Sequence, residues 1–305
     1  AKKSLYYDLS IIQSLFLGLT TDQIIVLAGK PGSGKTSLLE GFAEAIDADM
    51  SLVPVQSNWI DRSDLLGFYN PIEKNYVPTP FLDAIIKASR EAEVKGNEDK
   101  IFCICLDEMN LSHVEYYFAE FLSKLQTDRK IQLYSKTIFE DIREEVRDRN
   151  TKFELDIGNS TIEEFLAEHP RENVDNYFTL KRQYKMLYRY PDEIKIPPNV
   201  KFLGTINKDE TTKDLSPKVI DRSFLIKLEN EENNEMKKKL VKEIQANKEQ
   251  YCQKIAFGFD DIKASPGLQD EKLEQELNNI KNDFKSLDIS LSNRFKKAIC
   301  QLMGN

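Results

Sequence analysis

The stretch Ile24-Ile-Val-Leu-Ala-Gly-Lys-Pro-Gly-Ser-Gly-Lys-Thr36 decides the fold. It begins with five apolar residues, which are typical of a short strand buried on both faces. Gly29 to Thr36 then match the pattern G-x-x-x-x-G-K-S/T, and apolar residues at helical spacing continue from Thr36 to Ile46. A strand, a glycine-rich turn and a helix in this order predict a loop that wraps around phosphate groups.

The chemistry of this loop follows from its residue types. Glycines let the backbone curl so that its N–H groups point at phosphate oxygens, and the helix adds its positive N-terminal end. Lys35 supplies a mobile positive charge for the β- and γ-phosphates, and the Thr36 hydroxyl can ligate Mg²⁺. The alternative, a glycine-rich turn with an exposed lysine, does not account for the flanking strand and helix. The predicted nucleotide-binding residues of the loop are Gly29, Lys30, Pro31, Gly32, Ser33, Gly34, Lys35, Thr36 and Ser37.

A second stretch, Ile101-Phe-Cys-Ile-Cys-Leu-Asp-Glu-Met-Asn110, runs from six apolar residues directly into two carboxylates. The apolar run predicts another buried strand, and parallel sheets place their ligands at the carboxyl ends of the strands. Two adjacent negative charges repel each other unless a cation uses them. We therefore expect Asp107 to help hold Mg²⁺ and Glu108 to orient or deprotonate an attacking water. The alternative is a charge pair favoured by the N-terminus of the next helix.

Three further residues are candidates for the same site. Asn207 ends the apolar run that begins at Val200, where its amide can reach the γ-phosphate and the water; the alternative is a local turn. Arg222 precedes the last strand, where it can extend to a neighbouring subunit as an arginine finger or form a surface ion pair with Asp221. Arg294 lies in a helical pattern and either touches the phosphates or is an ordinary exposed arginine.

The periodicity of the whole chain predicts an α/β fold, with a parallel sheet flanked by helices and followed by a small all-helical lid. We expect an α/β domain over residues 1–229 and the lid, truncated, over residues 230–305. Because the chain begins with Ala1 and ends at Asn305 just after an amphipathic stretch, we expect it to be part of a longer protein. Helices are predicted for residues 8–19, 36–46, 81–93 and 114–125, strands for 24–28, 52–55, 101–106, 200–206 and 224–228, and a hairpin within 64–80.

Residues 130–198 show an irregular, polar and aromatic pattern, which we interpret as an insertion. Within it, Lys181 to Tyr190 interleaves basic and aromatic residues, which suggests either a nucleic-acid surface or, in our preferred interpretation, an amphipathic element with solvated basic residues. Pro191 to Lys195, PDEIK, contains fragments of a metal-dependent nuclease signature. Its carboxylates are crowded together, which favours an ordinary polar edge.

Composition excludes several classes of protein. With 40% hydrophobic and 31% charged residues, the chain has the composition of a folded soluble protein. It has no apolar run of about 20 residues that could span a membrane and no signal peptide. Four cysteines without a C-x-x-C pair and only two histidines argue against a zinc site and indicate buried, reduced thiols in a cytoplasmic protein. The net charge of −8 argues against a surface built mainly for non-specific nucleic-acid binding.

Taken in order, the glycine-rich loop, LDEMN (106–110), GTIN (204–207) and SPKVIDRS (216–223) resemble an AAA+ ATPase domain of the dynein-related group. Within that group, residues 59–71, 76–85 and 106–126 are most similar to McrB-type domains, the NTPase subunits of modification-dependent restriction systems. The likeness covers residues 5–229 strongly and the lid weakly. It is incomplete: McrB-type domains carry an arginine soon after the sensor asparagine, whereas Arg222 follows Asn207 at a distance.

The resemblance implies a role for each matching residue. Asp107 and Glu108 would form the Walker B pair, Asn207 sensor 1, Arg222 the finger acting in trans and Arg294 sensor 2. It also implies Mg²⁺, GTP or ATP as the substrate, and a homo-oligomeric ring, expected to be a hexamer. Further implied partners are a McrC-like nuclease subunit and DNA, bound through a flanking domain outside this chain.

Three functions are compatible with these features. The first is an NTPase ring that drives DNA translocation or activates a partner nuclease. The second is a scaffold that binds nucleotide to assemble a complex with little turnover, although such a scaffold has no need for Glu108. The third is a general AAA+ ATPase that remodels a protein partner. Nothing in the sequence distinguishes GTP from ATP.

Overall fold

The computed structural model describes residues 7–97, 99–153, 174–209 and 212–228. The predicted lid and Arg294 lie outside these residues. The helices are α1 (Leu9–Leu19), α2 (Lys35–Ala45), α3 (Arg62–Leu66), α4 (Pro80–Ala92), α5 (Val114–Tyr117), α6 (Ala119–Leu125), α7 (Lys136–Phe153), α8 (Val174–Arg189) and α9 (Pro217–Ile220). The strands are β1 (Ile24–Gly29), β2 (Asp49–Pro54), β3 (Gly67–Asn70), β4 (Asn75–Pro78), β5 (Phe102–Asp107), β6 (Lys130–Gln132), β7 (Glu193–Lys195), β8 (Val200–Asn207) and β9 (Ser223–Lys227).

The centre of the fold is a five-stranded sheet in the order β2–β5–β8–β1–β9, with all neighbouring strands parallel. This confirms the predicted α/β class and parallel sheet. The three inner strands are almost entirely buried, which explains why their sequences are continuous apolar runs. Helices pack against both faces of the sheet, with α1 and α2 on one side and α4, α5 and α6 on the other.

The register of the inner strands fixes which residues meet at one edge of the sheet. Gly29 at the end of β1 pairs with Asn207 at the end of β8, and Leu106 in β5 pairs with Gly204 in β8. Gly204 leaves room for the side chain of the fully buried Met109, because a Cβ at this position would clash with the Met109 sulfur. The glycine-rich loop and the acidic end of β5 therefore flank the end of β8.

Of two local predictions, one needs correction and the other is confirmed. The helix expected over residues 114–125 is divided at Phe118 into α5 and α6, because the backbone of Phe118 departs from ideal helical angles (φ −118°, ψ −14°). The hairpin expected within residues 64–80 is confirmed as β3 and β4, which pair in antiparallel register.

The described parts of the segment 130–198, residues 130–153 and 174–198, are more regular than the sequence pattern indicated. β6 and β7 pair in antiparallel register at its base, and α7 packs against α8 beyond them. The described part of α7 is strongly polar and buries Ile142 and Val146, so its helical period is weak in sequence. No helix in the described ranges is both long enough and apolar enough to cross a membrane.

Candidate active site

The glycine-rich loop joins β1 to α2, as predicted, and its shape depends on two glycines. Gly32 and Gly34 have φ angles of +72° and +84°, which are accessible to glycine without the strain that a side chain would impose. Gly34 is the N-cap residue that directly precedes α2, and its carbonyl accepts a 2.8 Å hydrogen bond from the Leu38 N–H. The loop thus ends at the positive N-terminus of an 11-residue helix, where the first N–H groups have no partner within the helix.

Lys35 lies at the point where the loop, β8 and the acidic end of β5 meet. Its side chain is buried, and Nζ donates to the carbonyl oxygens of Gly29 (3.0 Å) and Lys30 (2.9 Å) and to Asn207 Oδ1 (2.7 Å). Burial lowers the pKa of Lys35 below its ordinary value, while the negative charges of Glu108 and Asp107 act in the opposite direction. The arrangement presents a partly desolvated ammonium group, whose attraction to an anion is stronger than in water.

Asp107, Thr36 and Thr205 form a compact oxygen cluster. The hydroxyls of Thr36 (2.8 Å) and Thr205 (2.7 Å) both donate to Asp107 Oδ1, and the hydroxyl of Thr205 accepts from the backbone N–H of Glu108 (2.8 Å). Thr205 thereby fixes the orientation of the Asp107 carboxylate and of the following peptide.

Thr36 and Asp107 fit a magnesium ion. Hydroxyl and carboxylate oxygens are ligands of the kind that Mg²⁺ prefers, and the hydrogen bond of 2.8 Å keeps the Thr36 hydroxyl beside the Asp107 carboxylate. No cluster of three or more potential ligands (His, Cys, Asp or Glu) occurs within the described ranges.

Glu108 is held in an uncommon backbone conformation beside Asn207. Its φ and ψ of 53° and 48° are left-handed, a region in which non-glycine residues are rare and often functional. Asn207 Nδ2 donates to Glu108 Oε1 at 2.9 Å, while Oδ1 of the same amide accepts from Lys35. The side chain of Asn207 thus connects the predicted base to the loop lysine.

Asn110 is a buried residue to which the sequence analysis assigned no role. Its Nδ2 donates to the carbonyls of Asn207 (2.7 Å) and Lys213 (3.1 Å), and its Oδ1 accepts from the Asn207 N–H (3.0 Å). It clamps the backbone of Asn207 and the segment that follows. The sequence signal was a polar residue two positions after the acidic pair that ends an apolar strand, but the partners of Asn110 depend on β8 lying beside β5.

Arg222 lies away from these residues. It directly precedes β9, whose first residue, Ser223, pairs with Ile24 at the start of β1, whereas the loop begins at Gly29. The two ends of β1 are about 16 Å apart at 3.3 Å per residue. The guanidinium of Arg222 donates to the carbonyl of Ala119 at 3.5 Å. Arg222 therefore does not join the cluster around Lys35 in its own chain.

Comparison with models of known protein families identifies the family to which this chain belongs. The model of the AAA domain, dynein-related subfamily, matches residues 24–223, which is more than half of the chain. The chain belongs to this subfamily. Membership of the AAA family supports NTPase activity, with a nucleoside triphosphate as the substrate and Mg²⁺ as its usual companion.

Other comparisons of this AAA domain add little. No curated protein matches the chain significantly. One solved structure, that of a candidate ATPase from Cytophaga hutchinsonii, is 18% identical over 95% of this chain and 71% of its own, with a TM-score of 0.45.

Proposed function

We propose that this AAA domain hydrolyses a nucleoside triphosphate with Glu108 as the base that activates water. The observation that carries the proposal is the continuous chain of contacts from Lys35 through the Asn207 amide to Glu108. It connects a group suited to bind phosphate with a carboxylate suited to accept a proton. Such a connection is what hydrolysis requires, because water and γ-phosphate must be held together.

Each residue has a distinct part in this mechanism. Lys35 and the N-terminus of α2 bind and neutralise phosphate oxygens. Glu108 Oε1 accepts one hydrogen bond from Asn207, and the carboxylate keeps lone pairs that can accept a proton from water. Thr36 and Asp107 would hold Mg²⁺, and the ion would neutralise the negative charge that develops on the phosphate oxygens.

The position of Arg222 supports a ring with shared active sites. AAA+ proteins commonly form rings, and an arginine remote from its own phosphate loop can act only on the site of a neighbour. We propose that Arg222 is an arginine finger in a homo-oligomer, which we expect to be a hexamer. Arg294 is proposed as a further phosphate contact solely from the sequence.

The proposed biological setting is a McrB-like role in a cytoplasmic restriction system. The ring would drive DNA translocation, activate a McrC-like nuclease subunit, or do both, with DNA bound through a flanking domain. This part rests on the sequence resemblance, and the late position of Arg222 after Asn207 distinguishes this chain from McrB-type domains. A general ATPase that remodels a protein partner is the alternative.

A nucleotide-gated scaffold with little turnover is the second candidate. It is disfavoured by Glu108, whose left-handed backbone and contact with Asn207 have no purpose in binding alone. A nuclease activity centred on PDEIK receives no support, since Glu193 pairs with Lys130 at 2.8 Å and β7 is a short polar strand.

Phosphate release tests the proposal directly. It should be measured with GTP and ATP side by side, with and without DNA, for the wild type and Glu108→Gln. We expect Mg²⁺-dependent release that Glu108→Gln abolishes while nucleotide binding persists. Nucleotide binding without measurable release by the wild type would favour the scaffold. A preference above about tenfold for GTP would support the McrB-like role.

A further inference from the structure

The side of α8 that faces solvent combines basic and aromatic residues. Buried residues of α8 lie on the opposite side and pack toward the core; they are Tyr177, Leu180, Gln183 and Met186. At about 100° per residue, the five exposed basic and aromatic residues fall within an arc of about 120°. We call this surface the α8 face, and it comprises Phe178, Arg182, Lys185, Tyr188 and Arg189.

The α8 face exposes two aromatic side chains. Tyr188 is 75% exposed and Phe178 is 50% exposed. An amphipathic helix with a solvated basic side explains exposed lysine and arginine, but it does not explain two exposed aromatic rings, which would otherwise be buried. Tyr184 stacks beside Tyr188 in nearly parallel planes, and Arg90 of α4 donates to the Tyr188 carbonyl at 2.7 Å. These contacts restrain Tyr188 and still leave most of its surface accessible.

The charge of the α8 face is positive in a chain whose net charge is −8. Within the described ranges neither Arg182 nor Lys185 is paired with an acidic side chain. Arg189 is paired with Asp83 at 3.0 Å, and Asp175 is an exposed acid near the start of α8. The neighbouring helix α4 adds Arg90 and Lys87, the latter 3.8 Å from Glu91.

We propose that the α8 face binds single-stranded nucleic acid. Arg182 and Lys185 would contact backbone phosphates, and Tyr188 and Phe178, about 15 Å apart along the helix axis, would stack against bases. A duplex keeps the faces of its bases stacked inside and so offers the exposed rings nothing to stack against, and an acidic protein segment supplies charge but no bases. The negative net charge opposes binding at long range, so binding is expected at low salt and falls as salt increases.

This inference does not rest on the proposed hydrolysis. The probe is a fluorescent oligo-dT strand, with binding followed by anisotropy as a function of salt for the full chain. Measurements are repeated in the Glu108→Gln background, so that loss of turnover and loss of strand binding are distinguished.

Two variants and two matched controls define the test. Arg182→Glu with Lys185→Glu is expected to weaken binding at least tenfold and to reduce the slope of log affinity against log salt by about 1.4, or about 0.7 per phosphate contact. Tyr188→Ala is expected to weaken binding by about 5- to 150-fold with little change in this slope. The controls make the same changes elsewhere: Lys136→Glu with Arg143→Glu on α7, and Tyr116→Ala, whose ring is 60% exposed. Both controls should bind as the wild type does.

Several results would overturn the proposal. One is the absence of oligo-dT binding at low salt. Another is an equal loss in the α8 variants and their controls, which would indicate a general effect of charge. Equal affinity for duplex and single strand, with Tyr188→Ala unaffected, would exclude base stacking. Tighter binding of polyglutamate than of oligo-dT would instead assign the α8 face to an acidic protein.

Discussion

Replacement of Asn110 by alanine tests whether the site depends on the clamp between the end of β5 and the end of β8. The change removes three hydrogen bonds, two donated by Asn110 Nδ2 to the carbonyls of Asn207 and Lys213 and one accepted from the Asn207 N–H. Because Asn110 is only 3% exposed, water does not readily replace them. Each bond contributes about 1 kcal/mol, and buried groups left unpaired add a further cost, so the free energy of unfolding should fall by about 3–4 kcal/mol.

The effect on catalysis should exceed a general loss of stability. Asn207 contacts both Lys35 and Glu108, so a shift of its backbone by about 1 Å is expected to lower kcat about 100-fold. Nucleotide affinity should change much less, because Lys35 and the loop are retained. The assay is phosphate release at saturating nucleotide, together with nucleotide binding and urea unfolding of the same samples.

Asn199 provides the matched control. It is also buried, and its Nδ2 donates to the carbonyl of Lys100 at 2.9 Å, but it lies just before β8, at the other end of that strand. Asn199→Ala should lower stability by about 1–3 kcal/mol and leave kcat within a few-fold of the wild type. If Asn110→Ala kept a normal kcat, or if Asn199→Ala lost kcat equally, the positioning role of Asn110 would be refuted.

Three further predictions concern the residues around the proposed reaction. Arg222→Ala should lower kcat by about 10³–10⁵-fold. Mixing Arg222→Ala subunits with Glu108→Gln subunits should restore part of the activity, because an intact base and an intact arginine finger can then meet at the interface between two subunits. A mixture as inactive as its components would contradict action in trans. Glu108→Gln should bind nucleotide about as tightly as the wild type in equilibrium titrations and release almost no phosphate, and turnover within a few-fold of normal would show that Glu108 is not the base. Thr205→Val should raise the Mg²⁺ concentration needed for half-maximal turnover by about 10–100-fold, because Asp107 loses a hydroxyl that orients its carboxylate. An unchanged Mg²⁺ titration would contradict the assignment of Asp107 to the metal site.

The predictable part of the fold is the part with strong local signals. The inner strands are continuous apolar runs, and the loop motif is flanked by a strand and a helix, so the sheet and its acidic edge follow from the sequence alone. Cys103 and Cys105 were expected to be buried thiols, and both are free and buried. Burial raises the pKa of Cys103 to about 12, which keeps this thiol protonated at neutral pH.

The rest depends on which elements become neighbours. The sequence shows where β5 and β8 end, but not that they lie side by side, so the contacts of Asn110 and Thr205 could not be assigned. The helix α7 was not predicted, because its sequence is polar and it buries few apolar residues. Likewise, the basic and aromatic pattern of α8 did not reveal which rings are exposed, and only the structure distinguishes Tyr188 from the buried Tyr177.

The central claim is that the loop lysine and the acidic end of β5 together bind a magnesium-loaded triphosphate. Equilibrium binding of a fluorescent, non-hydrolysable nucleoside triphosphate tests it most directly, for the wild type, Lys35→Ala and Asp107→Asn, with Mg²⁺ and with EDTA. The account predicts that Lys35→Ala weakens binding at least tenfold and that Asp107→Asn abolishes the gain in affinity from Mg²⁺. Wild-type affinity in Lys35→Ala, or a full Mg²⁺ effect in Asp107→Asn, would contradict it.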